Sequence, residues 1–206
     1  MNIVIDSKHK IEKILFCSVV PFAYKIIKKF FFKKYKSKCI ELKELKISNY
    51  IRLKVNKKQI GSDRIANAIG VMNGKDNFIV IDLGSATTFD IIQKSSYVGG
   101  VIAPGIELSL NNLSAKASLI PNVKFMKMSK VIGKNTISSV RSGFYWGYIG
   151  LIDNIIKLIK LETNRKYKII LTGGLSYLFK KKINHKIIIN KNVTFLGLRK
   201  ILKLEN

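Results

Sequence analysis

The sequence contains few cysteines and prolines, and these shortages exclude several classes of protein. Its 206 residues include only 2 Cys and 3 Pro. Cys17 and Cys39 lack the CxxC or Cys/His spacing of a zinc site and the dense pattern of a secreted disulfide framework. We therefore expect a reducing compartment and a globular chain whose core needs no disulfide or metal.

Long hydrophobic runs are also missing. The best apolar segment, Ile14–Tyr24, is shorter than the roughly 20 residues that a transmembrane helix requires. The first ten residues, MNIVIDSKHK, show neither a basic leader before an apolar stretch nor a small-residue cleavage site. The sequence thus predicts a cytoplasmic protein with no membrane partner.

Acidic residues are scarce, since 12 Asp and Glu stand against 38 Lys and Arg and give a net charge of +26. Such a charge often indicates a nucleic-acid or anionic-surface partner. The lysines are nevertheless scattered among abundant Ile and Asn, as A/T-rich codons produce. The densest stretch, Lys25–Lys38, interleaves apolar and basic residues at helical spacing, which is typical of a solvated helix face. We do not expect nucleic-acid binding; a basic nucleic-acid binder stays an alternative, and its affinity would fall steeply with salt.

Strand and helix patterns alternate along the chain, which predicts an α/β fold. Strands are predicted at 12–20, 38–42 and 167–171 and as hairpins over 77–104; helices are predicted at 22–34, 60–72, 106–117, 136–161 and 198–204. Gly143, Gly147 and Gly150 fall inside the longest helix, where each weakens the helix. We expect that this helix packs closely against another backbone there.

A short repeat predicts two lobes. Residues 2–6 are NIVID and residues 79–82 are IVID, so each half contains a strand that ends in Asp. The second copy continues into a glycine and hydroxyl turn, whereas the first continues into SKHK. The first copy looks damaged, and we place an N-terminal lobe at 1–75 and a C-terminal lobe at 76–206.

The turn after the second copy has the composition of a phosphate site. Gly84 allows a tight turn, and backbone N–H groups together with the hydroxyls of Ser85, Thr87 and Thr88 can surround an anion. Asp82, at the strand end, can hold a cation against phosphate charge. An ordinary hairpin turn with an Asx cap is the alternative.

A second polar segment, Gly61-Ser62-Asp63-Arg64, begins a predicted helix. Ser62 or Asp63 can be a simple N-cap. Alternatively, Arg64 binds a substrate carboxylate while Asp63 accepts a proton from a substrate hydroxyl. Phosphoryl transfer to an alcohol requires these groups beside a phosphate site.

Two weaker signals complete the set of candidates. Thr172-Gly173-Gly174 follows a predicted strand and can let the backbone approach a nucleobase or ribose. Thr136 follows Asn135 at a helix start, where the pair is explained by capping, although the Thr136 hydroxyl could also contact a ligand.

Taken together, these segments resemble one family, the type III pantothenate kinases. The matching segments keep the family order from Ile60 to the C-terminus, and SVVP at 18–21 matches more weakly. They are IGSDRIANAIG (60–70), IVIDLGSATTFDII (79–92), GGVIAPGIELS (99–109), VIGKNTISSVRSGFYWGYIGLID (131–153), ILTGG (170–174) and TFLGLRKIL (194–202).

The resemblance implies a fold, a reaction and a partner. The fold is the two-lobed ribonuclease H-like fold of acetate and sugar kinases, Hsp70 and actin, here with an incomplete N-terminal lobe. The reaction is the ATP-dependent phosphorylation of pantothenate, the first step of coenzyme A biosynthesis, with Mg²⁺ and a monovalent cation, K⁺ or NH₄⁺. The partner is a second copy of the chain in a homodimer, whose interface includes the glycine-bearing helix.

The resemblance also implies roles for single residues. Asp63 corresponds to the general base, and Gly61, Ser62, Asp63 and Arg64 to the pantothenate-binding loop. The other roles are the monovalent-cation ligand at Asp82, an ATP-phosphate contact at Ser85, a pantothenate contact at Thr136 and adenosine contacts at Thr172, Gly173 and Gly174.

The sequence departs from the family at its beginning. The family's first phosphate motif, D-x-G-N-T, is absent, since Asp6 is followed by SKHK. Two hypotheses follow: an active kinase, or a truncated or degenerate homologue that binds its ligand without phosphoryl transfer.

Overall fold

The computed structural model describes residues 11, 13–18, 21–180 and 182–204, which form an α/β fold. The strands are β1 (Lys13–Phe16), β2 (Lys38–Glu41), β3 (Arg52–Leu53), β4 (Asn77–Leu83), β5 (Ala86–Gln93), β6 (Ser96–Pro104), β7 (Lys168–Thr172) and β8 (Ile187–Ile189). The helices are α1 (Pro21–Tyr35), α2 (Ser62–Val71), α3 (Ile106–Lys116), α4 (Thr136–Thr163) and α5 (Val193–Leu204). The predicted α/β class is confirmed. The 2–6 repeat and Asp6 lie outside the described residues.

A mixed six-stranded sheet forms the centre of the described structure, in the order β3-β6-β5-β4-β7-β8. Strands β4, β5 and β6 are antiparallel neighbours, as the predicted hairpins require. Strand β7 runs parallel to β4 and places Thr172 opposite Asp82. The carboxyl ends of β4 and β7 therefore meet at one edge of the sheet.

Alternation along the strands separates two cores, because successive side chains point to opposite faces. Ile79, Ile81 and Leu83 of β4 belong to the core on the α4 side. Val80 belongs to the core on the α2 side, which also contains Ile65 of α2. Asp82 lies two residues after Val80 on β4, and Asp90 lies two residues before Ile92 on β5. Side chains two residues apart on a strand point to the same face, so both carboxylates lie on the α2 side.

Helices α2 and α5 pack with almost no side chain between them. A Cβ atom on Gly197 would lie 1.9 Å from the backbone oxygen of Ala66, and one on Gly70 would lie 2.3 Å from that of Val193. Lys200 of α5 donates hydrogen bonds to the carbonyls of Ile69, Gly70 and Met72 at the end of α2. This contact fixes α2 against the sheet.

The N-terminal part of the described chain forms a smaller unit. Strands β1 and β2 pair in parallel as a two-stranded sheet, and α1 connects them. Strand β3, in contrast, pairs with β6 of the large sheet. Residues from both sides of position 75, the predicted domain boundary, thus belong to the same sheet. The boundary itself stays a prediction.

The glycines of α4 do not pack against another backbone within the described chain. A Cβ atom on Gly143, Gly147 or Gly150 would meet no atom within 4 Å. The expected close packing is therefore not found among these residues, and contact with a second copy of the chain stays a prediction. Among the helices of the described residues, none combines the length and apolarity needed to cross a bilayer.

Candidate active site

The edge formed by the carboxyl ends of β4 and β7 brings three of the predicted segments together. Gly173, immediately after β7, has a φ of +88°, and a Cβ atom there would lie 2.6 Å from the backbone nitrogen of Leu83 and 2.7 Å from Oδ1 of Asp82. Glycine is required at this position for both reasons. Thr172 is buried and Gly174 is exposed beside them. In open α/β sheets, ligands bind outside such strand ends.

The turn between β4 and β5 lies at the same edge. Its Gly84 and Ser85 are exposed, and a Cβ atom on Gly105 would lie 2.2 Å from the carbonyl oxygen of Ser85. Gly105 is the N-cap of α3 and therefore brings the start of that helix directly against the turn. The positive end of the α3 dipole and the unpaired N–H groups of its first turn then face the same edge, which favours an anion there.

Helix α2 begins beside this edge with the predicted Gly61–Arg64 segment. Gly61 is the N-cap of α2, and no side chain makes a capping hydrogen bond there. The N-cap roles predicted for Ser62 and Asp63 are therefore wrong. The Ser62 hydroxyl instead donates to the carbonyl of Ser18, 3.1 Å away, which ties α2 to the segment after β1. Asp63 Oδ1 accepts the backbone N–H of Arg64 at 2.8 Å.

Asp82 lies close enough to Asp63 for the two carboxylates to repel each other. Burial raises the pKa of Asp82, a hydrogen bond from Asn67 opposes the rise, and the charge of Asp63 adds to it. Asn67 Nδ2 donates to Asp82 Oδ2 at 3.1 Å, and Asn67 Oδ1 accepts the hydroxyl of Thr194 at 2.6 Å. Among the described residues no lysine or arginine pairs with Asp82, so a bound cation would supply the missing positive charge.

Arg64 forms an ion pair within the chain, a contact that the sequence did not predict. Its Nε donates to Oδ1 of Asp90 at 2.7 Å, and the Tyr97 hydroxyl donates to the same oxygen at 2.8 Å. Asp90 is fully buried, and burial raises its pKa to about 6 against the opposing charge of Arg64. The sequence did indicate a special role for Asp90, because this charged residue occupies a strand position whose side chain points to a buried face.

Thr136 does not join the other candidates in the described chain. It is exposed at the first turn of α4, where Asn135 and Ser138 form a capping box. The depression beside it is lined by residues of α4 and by Pro121, whereas Gly61 and Ser62 line a different depression. The capping interpretation of Asn135 is confirmed, and the ligand role of Thr136 stays a prediction.

Glycine and hydroxyl turns at neighbouring strand ends, with carboxylates beside them, give this edge of the α/β sheet the chemistry that suits phosphate groups and a cation. Among the described residues no cluster of three or more His, Cys, Asp or Glu could hold a metal ion by itself.

Comparison with known proteins agrees with this chemistry. The family model of type III pantothenate kinases matches residues 1–158. The chain is 58% identical over 188 residues to a type III pantothenate kinase of Pelagibacter ubique (strain HTCC1062), covering 91% of this chain and 76% of that relative. It is 38% identical over 195 residues to a type III pantothenate kinase of Sulfurihydrogenibium sp. (strain YO3AOP1), covering 91% and 75%. The chain belongs to the type III pantothenate kinase family, so the predicted family is confirmed.

Other relatives are matched over a smaller part of their length. The chain is 44% identical over 145 residues to a type III pantothenate kinase of Paracoccus denitrificans (strain Pd 1222), covering 69% of this chain and 56% of that relative. A crystal structure of a conserved Baf family protein from Campylobacter jejuni has a TM-score of 0.61 at 24% identity and covers 96% of this chain and 85% of that chain. This likeness concerns the fold. It agrees with the predicted α/β class, and the finer assignment to the acetate and sugar kinase, Hsp70 and actin fold stays a prediction.

Proposed function

We propose that the chain transfers the γ-phosphoryl group of ATP to the terminal hydroxyl of pantothenate, the first step of coenzyme A biosynthesis. Membership in the type III pantothenate kinase family supports the reaction. The observation that carries the assignment of the site is the set of three carboxylates on the α2 side of the sheet. Asp90 is paired with Arg64, whereas Asp63 and Asp82 have no cationic partner among the described residues.

Asp63 is the proposed general base. It lies in the first turn of α2, partly exposed, where a hydroxyl can approach it. Accepting the proton makes the attacking oxygen a better nucleophile, and such a base typically contributes about 10²- to 10⁴-fold to the rate. Arg64, Gly61 and Ser62 are the proposed pantothenate contacts, and the positive charge of Arg64 suits the carboxylate of pantothenate.

The edge formed by β4 and β7 is the proposed ATP site. The turn at Ser85, together with the start of α3, is suited to the phosphates. Thr172, Gly173 and Gly174 are the proposed contacts of the adenosine. Asp82 is the proposed ligand of a monovalent cation, and Mg²⁺ would be held largely by the phosphates. When bound, such cations would neutralise phosphate charge during transfer. Asn67 orients the carboxylate of Asp82 by a hydrogen bond, and Thr194 in turn donates a hydrogen bond to Asn67.

The assembly and location of the enzyme belong to the same proposal. A second copy of the chain is the proposed partner, because α4 exposes Gly143, Gly147 and Gly150 with nothing packed on them among the described residues. Thr136, at the start of the same helix, would then contact pantothenate in the dimer. A cytoplasmic location is proposed, and both cysteines are free thiols, as a reducing compartment would keep them.

The test of the proposed base is Asp63→Asn, measured as the transfer of labelled phosphate from ATP to pantothenate. Asparagine keeps the oxygen that accepts the Arg64 N–H but cannot take up a proton at neutral pH. We expect kcat to fall by about 10²- to 10⁴-fold while the Kd of pantothenate changes little. Asp76→Asn, at a surface pair with Lys168, is the matched control and should keep wild-type turnover. Unchanged turnover of Asp63→Asn would exclude Asp63 as the base.

A second candidate function is ligand binding without transfer. It is favoured by one feature of the sequence, the absence of Gly-Asn-Thr after Asp6. Loss of a single preorganised hydrogen-bond donor at an oxyanion site lowers catalytic rates by about 10²- to 10³-fold in other enzymes. Binding of pantothenate by calorimetry, combined with no detectable transfer from ATP, would establish this second function and exclude the first.

A further inference from the structure

The ion pair between Arg64 and Asp90 is buried within a site that is otherwise open. The side chain of Asp90 has no exposed surface, and that of Arg64 is 13% exposed. Both Arg64 Nε and the Tyr97 hydroxyl donate to the same oxygen, Asp90 Oδ1. The guanidinium carbon also lies 5.9 Å from the centre of the Tyr97 ring, within the range of a cation–π contact. Asp90 and Tyr97 thus hold Arg64 from two sides.

Two further atoms of the pair have no partner among the described residues. They are Arg64 Nη2 and Asp90 Oδ2, and both are buried. Nη2 lies on the same side of the guanidinium as Nε–H, and Oδ2 is the second oxygen of the carboxylate. A small rotation would therefore convert the single hydrogen bond into the two parallel bonds that arginine and carboxylate groups prefer. The Nε and Nη2 edge of Arg64 is committed to Asp90.

Gly100 makes room for this arrangement on the neighbouring strand. It pairs with Asp90 in the register of β5 and β6, so a side chain there would project on the same face. A Cβ atom on Gly100 would lie 2.1 Å from Arg64 Nη2 and 2.5 Å from the carbonyl of Phe89. The absence of a side chain at Gly100 lets the guanidinium of Arg64 approach the backbone of β6.

We propose that Asp90 and Tyr97 are positioning residues that fix Arg64 so that its remaining edge, Nη1, faces the carboxylate of the acceptor substrate. This inference rests on the proposed function. Among the described residues Nη1 makes no hydrogen bond, which leaves it for a ligand. An arginine side chain is long and flexible, and holding it in place before binding removes the entropy that its ordering would cost. Asp90 therefore controls selectivity for a carboxylate without touching the substrate.

The experiment compares two acceptors in the 206-residue chain: pantothenate and the analogue in which the carboxylate is replaced by an alcohol. In Asp90→Ala, Arg64 loses its anchor, and we expect KM for pantothenate to rise about tenfold with kcat changed less than about threefold. KM for the alcohol analogue should stay within about twofold, because that analogue offers no charge to Arg64. Asp90→Asn keeps an oxygen at the Oδ1 position and should restore most of the affinity for pantothenate.

A milder variant covers the case in which Asp90→Ala does not fold. Tyr97→Phe removes one hydrogen bond to Asp90 and keeps the ring, and it should raise KM for pantothenate about threefold without affecting the alcohol analogue. Asp76→Asn is again the control. Equal changes in KM for both acceptors, or no change in either variant, would overturn the positioning role. A wild-type chain that neither binds nor phosphorylates pantothenate would instead overturn the proposed function, and the inference with it.

Discussion

The surroundings of Asp63 and the surface of α1 are opposite electrostatic environments within one strongly basic chain. On the α2 side of the sheet, Asp63, Asp82 and Asp90 lie near one another, and Arg64 is paired with one of them. Helix α1 contains five lysines in 15 residues and no acidic residue. The excess of positive charge that the whole chain carries is thus not found around the proposed active site.

The two regions also differ in the burial of their apolar side chains. Most of β4 and β5 is buried, and the charged groups among them are hydrogen-bonded. On α1, Phe22 is 74% exposed and Ile26 55% exposed, while Phe31 is the buried residue among those described there. Packing and polar pairing are concentrated around α2, so changes there should have large effects and changes on α1 small ones.

The largest expected effect concerns the pH dependence of stability at Asp90. Burial raises the pKa of this carboxyl from an ordinary value of 3.8 to about 6, although Arg64 and Tyr97 oppose the rise. The folded chain therefore binds a proton more tightly than the unfolded chain between these values. This difference in pKa stabilises the folded chain by about 3 kcal/mol below about pH 4. The stabilisation is lost as the pH rises through about 6.

Urea unfolding of the wild type and of Asp90→Asn from pH 4 to pH 7 measures this effect. Relative to the variant, the wild type should lose stability as the pH rises across this range, because asparagine does not titrate. Parallel curves for the two proteins would contradict the raised pKa of the buried Asp90. They would also remove the contrast with α1, where charges are solvated.

A smaller effect is expected from Gly197→Ala, at the contact between α2 and α5. The new methyl group would lie 1.9 Å from the carbonyl oxygen of Ala66, so the helices must separate and α2 must shift. We expect a loss of about 2 kcal/mol of unfolding free energy, or roughly 4–8 °C in Tm. Gly174→Ala, measured without ligand, is the matched control, because its Cβ would also meet open space and it lies outside the contact between α2 and α5. Equal Tm changes in both variants would contradict the described contact.

The smallest effect is expected on α1. Phe22→Ser replaces a side chain that is 74% exposed, so little apolar area is lost from the core. The unfolding free energy should change by no more than about 0.5 kcal/mol, as for other surface substitutions. A loss of several kcal/mol in chemical denaturation would show that α1 is packed as tightly as α2 and would remove the distinction between the two regions.

Much of the fold could be predicted from periodicity. Helices predicted at 22–34, 106–117 and 136–161 are found at Pro21–Tyr35, Ile106–Lys116 and Thr136–Thr163. Helix α5 was predicted at 198–204 but begins at Val193. Its first turn contains Thr194, a β-branched residue that bonds Asn67, and Gly197 follows one turn later. Both serve tertiary contacts at the expense of helix propensity, which is why the local pattern missed them.

The candidate site could be predicted in part. Strand ends and glycine turns indicated Asp82, Ser85 and Gly173, and the register of β4 and β7 brings them to one edge. The partner of Arg64 was missed, because its pairing with Asp90 depends on how α2 lies across the sheet. The parity of Asp90 along β5 indicated a buried carboxylate, but a contact between residues 26 positions apart leaves no local pattern that names its partner.

The most direct test of the central claim is the transfer of labelled phosphate from ATP to pantothenate by the unaltered 206-residue chain, with Mg²⁺ and with either K⁺ or Na⁺. The account predicts 4′-phosphopantothenate as the product, formed faster with K⁺, and loss of this K⁺ dependence in Asp82→Asn. Absence of transfer under both salts, by a folded chain that binds both substrates, would contradict it.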